Sequence, residues 1–430
     1  MSPETPSPHR YPPWLLVAVA ASLLVLYGLL WGLPNLWDPA ADSLTPQGLL
    51  VAQSRDFLRL TSGRYPPLHF YALRLAFVPA DALAHLGAFA NLKLKSTLYI
   101  TTARLISAAM FVATVLLVRA LTRRLYGPGP GLIAAAVVAL CPLAQYYAKN
   151  ANLDVPYVFW LALALLFLQR FFDEQRSWDL TWAALCATAA VCTKDQAYGF
   201  VLLLPVPVLA SLRHRLGAWR PVLTSFTVWR AACAAVLGFA LCHGLMWNPQ
   251  PFVEHVRVIA GPASQGWRET TPDLIGQVRL LTETILRLAE AMSEPIFAAA
   301  VAGAVLAARQ RRGLWLLWGP VGYWLAFLAV AGYVYPRFTL PMVVACAPLA
   351  GLALDRLRRW RPAAKPVGAI LAGLALAWLA VACAALLYDL DNDTRASAQA
   401  WIEEHVPITA KVGFLGPERD MPRLNRAELD

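Results

Sequence analysis

The stretch Pro366–Tyr388, PVGAILAGLALAWLAVACAALLY, carries no charged residue and is preceded by Arg356, Arg358, Arg359, Arg361 and Lys365. As a helix it is long enough to cross the ~30 Å hydrocarbon core of a bilayer. A basic cluster at one end of such a run marks the cytoplasmic side. Working outward from it, apolar runs of roughly 18–22 residues recur along the chain. They are continuous Leu/Ala/Val stretches without the alternation of a barrel strand, so the backbone must satisfy itself within helices.

The composition agrees. Of 430 residues 58% are hydrophobic and 15% charged, with a mean hydropathy of +0.51. A soluble domain is nearer half apolar and a quarter charged. Spans are expected near 14–33, 97–118, 129–147, 153–171, 178–193, 197–212, 226–247, 292–308, 313–332, 336–354 and 366–388, about eleven in all. The fold class is therefore an all-α polytopic membrane protein. The 14–33 run outlasts a typical signal-peptide core and no clear small-residue cleavage site follows it, so it reads as an uncleaved span. The run 66–86 is interrupted by Pro79 and carries Asp81, which suggests an interfacial or half-inserted helix. The segment 272–292 has the mixed periodicity of an amphipathic surface helix.

The formal charge of +11 would suggest nucleic acid in a soluble protein. Here the excess sits in short connections, which makes it a topology signal and excludes nucleic acid as the implied partner. One set of loops holds Arg119, Arg123 and Arg124; Arg170 and Arg176; Arg213, Arg215 and Arg220; Arg309, Arg311 and Arg312; and Arg356 to Lys365. By the positive-inside rule this set is cytoplasmic. Residues 1–13 are then a cytoplasmic N-terminus, 14–388 the membrane domain, and 389–430 a short outward tail. The implied location is the plasma (inner) membrane, with the site on its periplasmic or extracellular side. The seven cysteines lie in or beside apolar runs with no Cys-x-x-Cys pair, and read as small core residues rather than a disulfide frame or zinc site.

Ionisable residues at membrane depth are functional candidates. Four outward features carry them. Asp38 and Asp42 lie just beyond the first span, and either carboxylate is able to act as a general base toward a hydroxyl. The structural alternative is a solvated loop or a helix cap by Asp42 or Ser43. The second feature is Arg64-Tyr65-Pro66-Pro67-Leu68-His69; an interfacial anchor accounts for its aromatics and prolines but requires neither Arg64 nor His69. The third is Lys149 and Asp154, which flank a very short outward turn; simple snorkelling is the alternative. The fourth is Lys194 and Arg337, basic residues at outward helix ends against the charge bias. A lone Arg grips a phosphate through two parallel bonds, and a Lys acts as a point charge. A local Lys194–Asp195 pair is the simpler reading. Together these features fit group transfer from a lipid-linked phosphate, in which a base takes the acceptor proton and cations stabilise the departing phosphate.

At these residues the chain resembles the dolichyl-phosphate-mannose protein mannosyltransferase family and its bacterial polyprenyl-phosphate-sugar-dependent relatives, in the GT-C glycosyltransferase superfamily. The anchors are Asp42-Ser43 with Pro46; Tyr65-Pro66-Pro67-Leu68; Ala103-Arg104-Leu105-Ile106-Ser107; Tyr126-Gly127; Ala151 to Pro156 with Asp154; Thr193-Lys194; Tyr335-Pro336-Arg337-Phe338 with Leu340-Pro341; and Asp393-Thr394-Arg395 in the tail. The resemblance implies a GT-C-like bundle with interfacial helices in the first outward loop. It implies a glycosyltransferase that moves a sugar, mannose or another hexose or pentose, from a polyprenyl-phosphate donor to a hydroxyl of a protein, lipid or glycan acceptor, with inversion. Asp42 matches the family's base, with Asp38 as the alternative, and Ser43 stands where a Glu is usual. Asp154 matches the second-loop Asp. Lys194 and Arg337, with Lys149 and Arg64, are expected to hold donor phosphate, and Tyr65 and His69 to line the substrate. No cofactor is firmly implied and a divalent metal is left open. Two other readings carry different expectations. A lipid or solute transporter would place its ionisable residues at mid-membrane, and an inactive relative would serve as an assembly partner.

Overall fold

A computed structural model describes residues 12–33, 65–84, 92–260, 266–362, 365–413 and 415, with the side chains of 81 and 92–96 left aside. The described residues are helices and short connections. In chain order the helices are α1 (Pro13–Leu26), α2 (Leu68–Ala84), α3 (Leu92–Tyr126), α4 (Pro128–Leu140), α5 (Pro142–Ala148), α6 (Asp154–Glu174) and α7 (Ser177–Val191). They continue with α8 (Ala197–Leu216) and α9 (Trp219–Cys242), each broken by a tight turn, then α10 (Gln250–Ala260), α11 (Leu274–Met292) and α12 (Glu294–Gln310). The last four are α13 (Leu314–Ala331), α14 (Leu340–Arg358), α15 (Val367–Asp391) and α16 (Thr394–His405).

Each expected span meets a helix, but the count of eleven is not reproduced. Among the described residues seven helices are long and apolar enough to cross a membrane, or up to nine if each bent pair forms one span. The shortfall has local causes. Helix α1 has 14 residues and α7 has 15; at ~1.5 Å per residue each is shorter than the apolar core. The expected span 129–147 is two helices meeting at 61°. Pro142 has no N–H to give the preceding turn and its ring crowds that turn's carbonyl, so the chain bends there. The second bent pair, α11 and α12, turns through 112° at Ser293, a non-glycine residue held at φ +64° just before Glu294-Pro295. Pro79 does not end α2, which runs through it. The expected amphipathic helix 272–292 is α11, opened by Asp273, whose carboxylate accepts from the Gly276 N–H at 2.8 Å.

Helix α14 is the pillar of the bundle. The apolar window of Pro336–Arg358 is 100% buried, whereas that of α9 is 6% buried and faces the surroundings. The pillar packs against α12, α4, α15, α3 and α6. Small residues permit the contacts: a Cβ on Gly303 of α12 would run directly onto the Leu349 carbonyl, and one on Gly351 would come within 2.5 Å of the Pro130 oxygen.

The two ends of the bundle differ chemically. Arg124 pairs with Glu174 at 2.8 Å and lies 3.6 Å from Asp173. Arg312 donates to the Arg124 carbonyl at 2.9 Å, Arg170 meets Asp179 at 3.1 Å, and Arg215 donates to Gln175. Arg358 and Arg359 hold Asp355 at 2.7 and 2.8 Å, and Asp355 lies beside Gly129. The Arg-rich loops assigned to one side of the membrane thus gather at one end. The loops bearing Asp154, Lys194 and Arg337 occupy the other.

Candidate active site

Asp154 opens α6, where its charge suits the positive end of the helix. The turn before it is held locally. The Asn152 side-chain oxygen accepts from the Asp154 N–H at 2.9 Å, and the Lys149 N–H donates to the Tyr146 carbonyl at 3.2 Å. Lys194 comes from the other direction. It follows the C-terminal end of α7, with its N–H on the Ala190 carbonyl at 2.9 Å, where a cation is favoured. The two side chains meet at 2.5 Å between Nζ and Oδ1, with exposures of 9% and 4%. Such a pair is well out of water, so its attraction is little screened. Burial pushes the Lys194 ammonium below its usual range, and the Asp154 carboxylate opposes that shift.

Arg337 completes the group. It sits in the tight turn Pro336–Thr339 ahead of α14 and interacts electrostatically with Asp154, Tyr147 and Tyr65. Its guanidinium lies 5.2 Å from the Tyr335 ring centroid and 5.7 Å from that of Phe338, which fixes the plane of the fork. Its Nε has no hydrogen-bond partner among the described residues. Below the pair, Lys194 Nζ lies 5.6 Å from the ring centroid of Tyr157, one turn along α6 from Asp154. The fully buried phenols of Tyr157 and Tyr323 approach each other beside the Asp154 carboxylate, and neither hydroxyl closes a full hydrogen bond among the described residues. The result is one carboxylate, two cations and donor-capable groups with unspent hydrogen-bonding capacity.

The structure therefore brings Asp154, Lys194, Arg337 and Tyr65 together. Lys149 lies apart: its ammonium donates to the Leu24 carbonyl at 2.6 Å and to Gln145 Oε1 at 3.0 Å, bracing α5 against α1. His69 is buried in α2, 2% exposed, and its Nε2 has no partner among the described residues. Asp38, Asp42 and Arg64 lie outside the described residues. Among the described residues no group of three or more His, Cys, Asp or Glu side chains converges to hold a metal.

The structure gives roles to further residues that the sequence left without one. Arg104, 1% exposed, donates through Nη1 to the carbonyls of Leu29 and Trp31, both at 2.8 Å, and so fixes the exit of the first span. Asp195 Oδ1 lies 2.9 Å from His255 Nε2 of α10, within hydrogen-bond distance. The i,i+3 spacing of Asp154 and Tyr157 was a readable signal; nothing local marked Tyr323 or His255.

The fold is that of the GT-C membrane glycosyltransferases. It aligns with the crystal structure of ArnT from Cupriavidus metallidurans bound to undecaprenyl phosphate at a TM-score of 0.53, with 17% identity over 92% of this chain and 74% of that one. The apo structure of the same protein gives 0.51 over 91% and 72%, again at 17% identity. The family resemblance is borne out in the centre of the chain, where residues 91–247 match the family described as dolichyl-phosphate-mannose-protein mannosyltransferase. Over 362 residues the chain is 27% identical to undecaprenyl phosphate-alpha-4-amino-4-deoxy-L-arabinose arabinosyl transferase 1 of Pseudomonas fluorescens, covering 78% of this chain. It spans 59% of that relative's length.

Proposed function

We propose that the chain is a membrane glycosyltransferase that transfers one sugar from a polyprenyl-phosphate donor to a hydroxyl acceptor at the outer face of the membrane. The observation that carries this reading is the buried Asp154–Lys194 pair with the half-buried Arg337 beside it, at the end of the bundle opposite the Arg-rich loops. Two cations that share one carboxylate retain net positive charge, which suits an incoming phosphate. The relatives whose names include undecaprenyl phosphate make that donor class the natural one.

In the reaction the acceptor oxygen attacks the anomeric carbon as the carbon–oxygen bond to phosphate breaks. The bonding pair leaves with the polyprenyl phosphate, whose charge Arg337 and Lys194 stabilise. The acceptor proton passes to a carboxylate, assigned to Asp42 with Asp38 as the alternative, and attack from the face opposite the phosphate inverts the centre. Asp154 holds both cations in place and faces the developing positive charge of the sugar. Tyr65 lines the substrate side, with His69 and Arg64 beside it in sequence. Lys149 supports the turn that carries Asp154. Residues 1–13 are cytoplasmic, and 389–430 form an outward tail. A protein, a lipid or a glycan supplies the acceptor hydroxyl.

Purified protein in lipid nanodiscs, given a panel of polyprenyl-phosphate sugars and cell-envelope acceptors, tests the reading. Release of polyprenyl phosphate with glycosylated product supports it, and Asp42→Asn abolishes that release while leaving the fold intact. Uptake by reconstituted vesicles without sugar transfer would instead favour a transporter. Mass spectrometry of envelope glycans with and without the gene identifies both substrates, through the missing product and the accumulated donor.

A further inference from the structure

Helices α7 and α9 run side by side in the same direction. Arg230 Nε donates to Thr181 Oγ1 at 2.9 Å, and Thr188 Oγ1 meets the Ala235 carbonyl at 3.5 Å. Continued to the site end, that register places Cys192, the C-terminal cap of α7, opposite Cys242, the last residue of α9. The two thiols interact electrostatically, and both are free in this structure.

One turn of α2 fixes both caps. The Leu68 N–H donates to the Cys192 carbonyl at 3.0 Å, and the Tyr71 hydroxyl donates to the Cys242 carbonyl at 3.2 Å. Two backbone segments anchored to the same helical turn cannot drift apart without breaking it. Cys192 is 1% exposed and Cys242 half-buried. Cys141, by contrast, has its thiol on the Ala291 carbonyl at 3.1 Å.

We infer that Cys192 and Cys242 are joined by a disulfide in the mature protein. The inference rests on the outward placement of this end, since disulfides form and persist in oxidising compartments. The two S–H bonds break and one S–S bond forms. Two protons and two electrons pass to a disulfide-exchange oxidant, whose own disulfide becomes two thiols. The bond ties the turn bearing Lys194 and Asp195 to His243. The His243 ring stacks on His255 at 6.4 Å, and His255 contacts Asp195 at 2.9 Å. The Lys194–Asp195 turn is thereby closed into a ring of contacts and its freedom to move away from Asp154 is removed.

Full-length protein from native membranes, denatured and alkylated without reductant, tests this by intact mass and peptide mapping. Of seven cysteines, five take up the label and a Cys192–Cys242 cross-linked peptide is recovered; with reductant all seven react. The Cys192→Ser variant leaves Cys242 labelled without reductant. Seven labelled thiols in unreduced wild-type protein overturn the inference. In that event, treatment of native purified protein with copper–phenanthroline, a small oxidant that reaches thiols within the bilayer, shows which premise failed. A cross-link that then forms means the compartment was misassigned, and none means the register was wrong. Sugar transfer enters neither readout.

Discussion

Replacing Asp154 with Asn leaves the Lys194 ammonium buried without its counter-charge and beside a second cation, Arg337. The wild-type contact is 2.5 Å with side-chain exposures of 9% and 4%. At an effective dielectric of ~20 the gross attraction at that distance is roughly 7 kcal/mol. Desolvation of both ions offsets much of it, and removal of one partner from a buried pair costs about 3–5 kcal/mol. The Asn amide retains a neutral acceptor, worth about 1 kcal/mol, while repulsion between Lys194 and Arg337 acts the other way. The expected loss therefore stays near 3–5 kcal/mol. Adding Lys194→Met removes the orphaned charge, so the double variant recovers stability to within about 1 kcal/mol of wild type without recovering transfer. A double-mutant cycle on detergent-purified protein, read by unfolding and by release of polyprenyl phosphate, measures both. An Asp154→Asn cost below about 1 kcal/mol, as for an exposed pair, or transfer by the double variant, would refute the reasoning.

Other predictions follow from the same geometry. Arg337→Lys keeps the charge but loses the bidentate fork, so transfer falls between wild type and Arg337→Ala, which loses about 10²-fold or more; initial rates at saturating donor show the order. Burial lowers the His69 imidazole to about 4 from 6.5. The unfolded chain therefore binds this proton first as pH falls, and stability is lost between 6.5 and 4 by up to roughly 3 kcal/mol. His69→Phe flattens that acid limb in thermal midpoints measured across the range. Gly303→Ala forces α12 off the Leu349 carbonyl and destabilises by about 1–3 kcal/mol, whereas Gly373→Ala, with open space around it, leaves the thermal midpoint unchanged or slightly raised.

Much of the architecture was legible because bilayer chemistry writes itself locally. An uncharged run such as 366–388 admits one structure in lipid, and the Arg clusters sort the loops without any tertiary information. Breaks were harder to read. The bend at Pro142 interrupts a run whose hydropathy is continuous, so an apolar window passes over it, whereas the turn at Ser293 falls where the amphipathic segment gives way to the next span, and only its angle was hidden. Within the site, Lys194 and Arg337 were conspicuous because they oppose the loop charge bias. Their union with Asp154 depends on helix packing, which no spacing encodes. Lys149 shows the converse: it stands out in sequence as strongly as Lys194, yet the approach of α1 gives it a backbone carbonyl. Tyr323 was illegible because a tyrosine within an apolar span looks the same whether it faces lipid, core or site.

The wholly buried pillar α14 has a consequence for how the chain is made. Its span begins at Pro336, so residues 1–335 are synthesised before this helix enters the bilayer. Its neighbours α3, α4, α6 and α12 are all synthesised earlier. They must wait with their facing grooves filled by lipid or by one another. Insertion of α14 displaces that provisional filling and, in the same event, delivers Arg337 to Asp154. Assembly of the bundle and completion of the charge cluster are thus one late step of biogenesis, and a chain truncated before residue 336 lacks both.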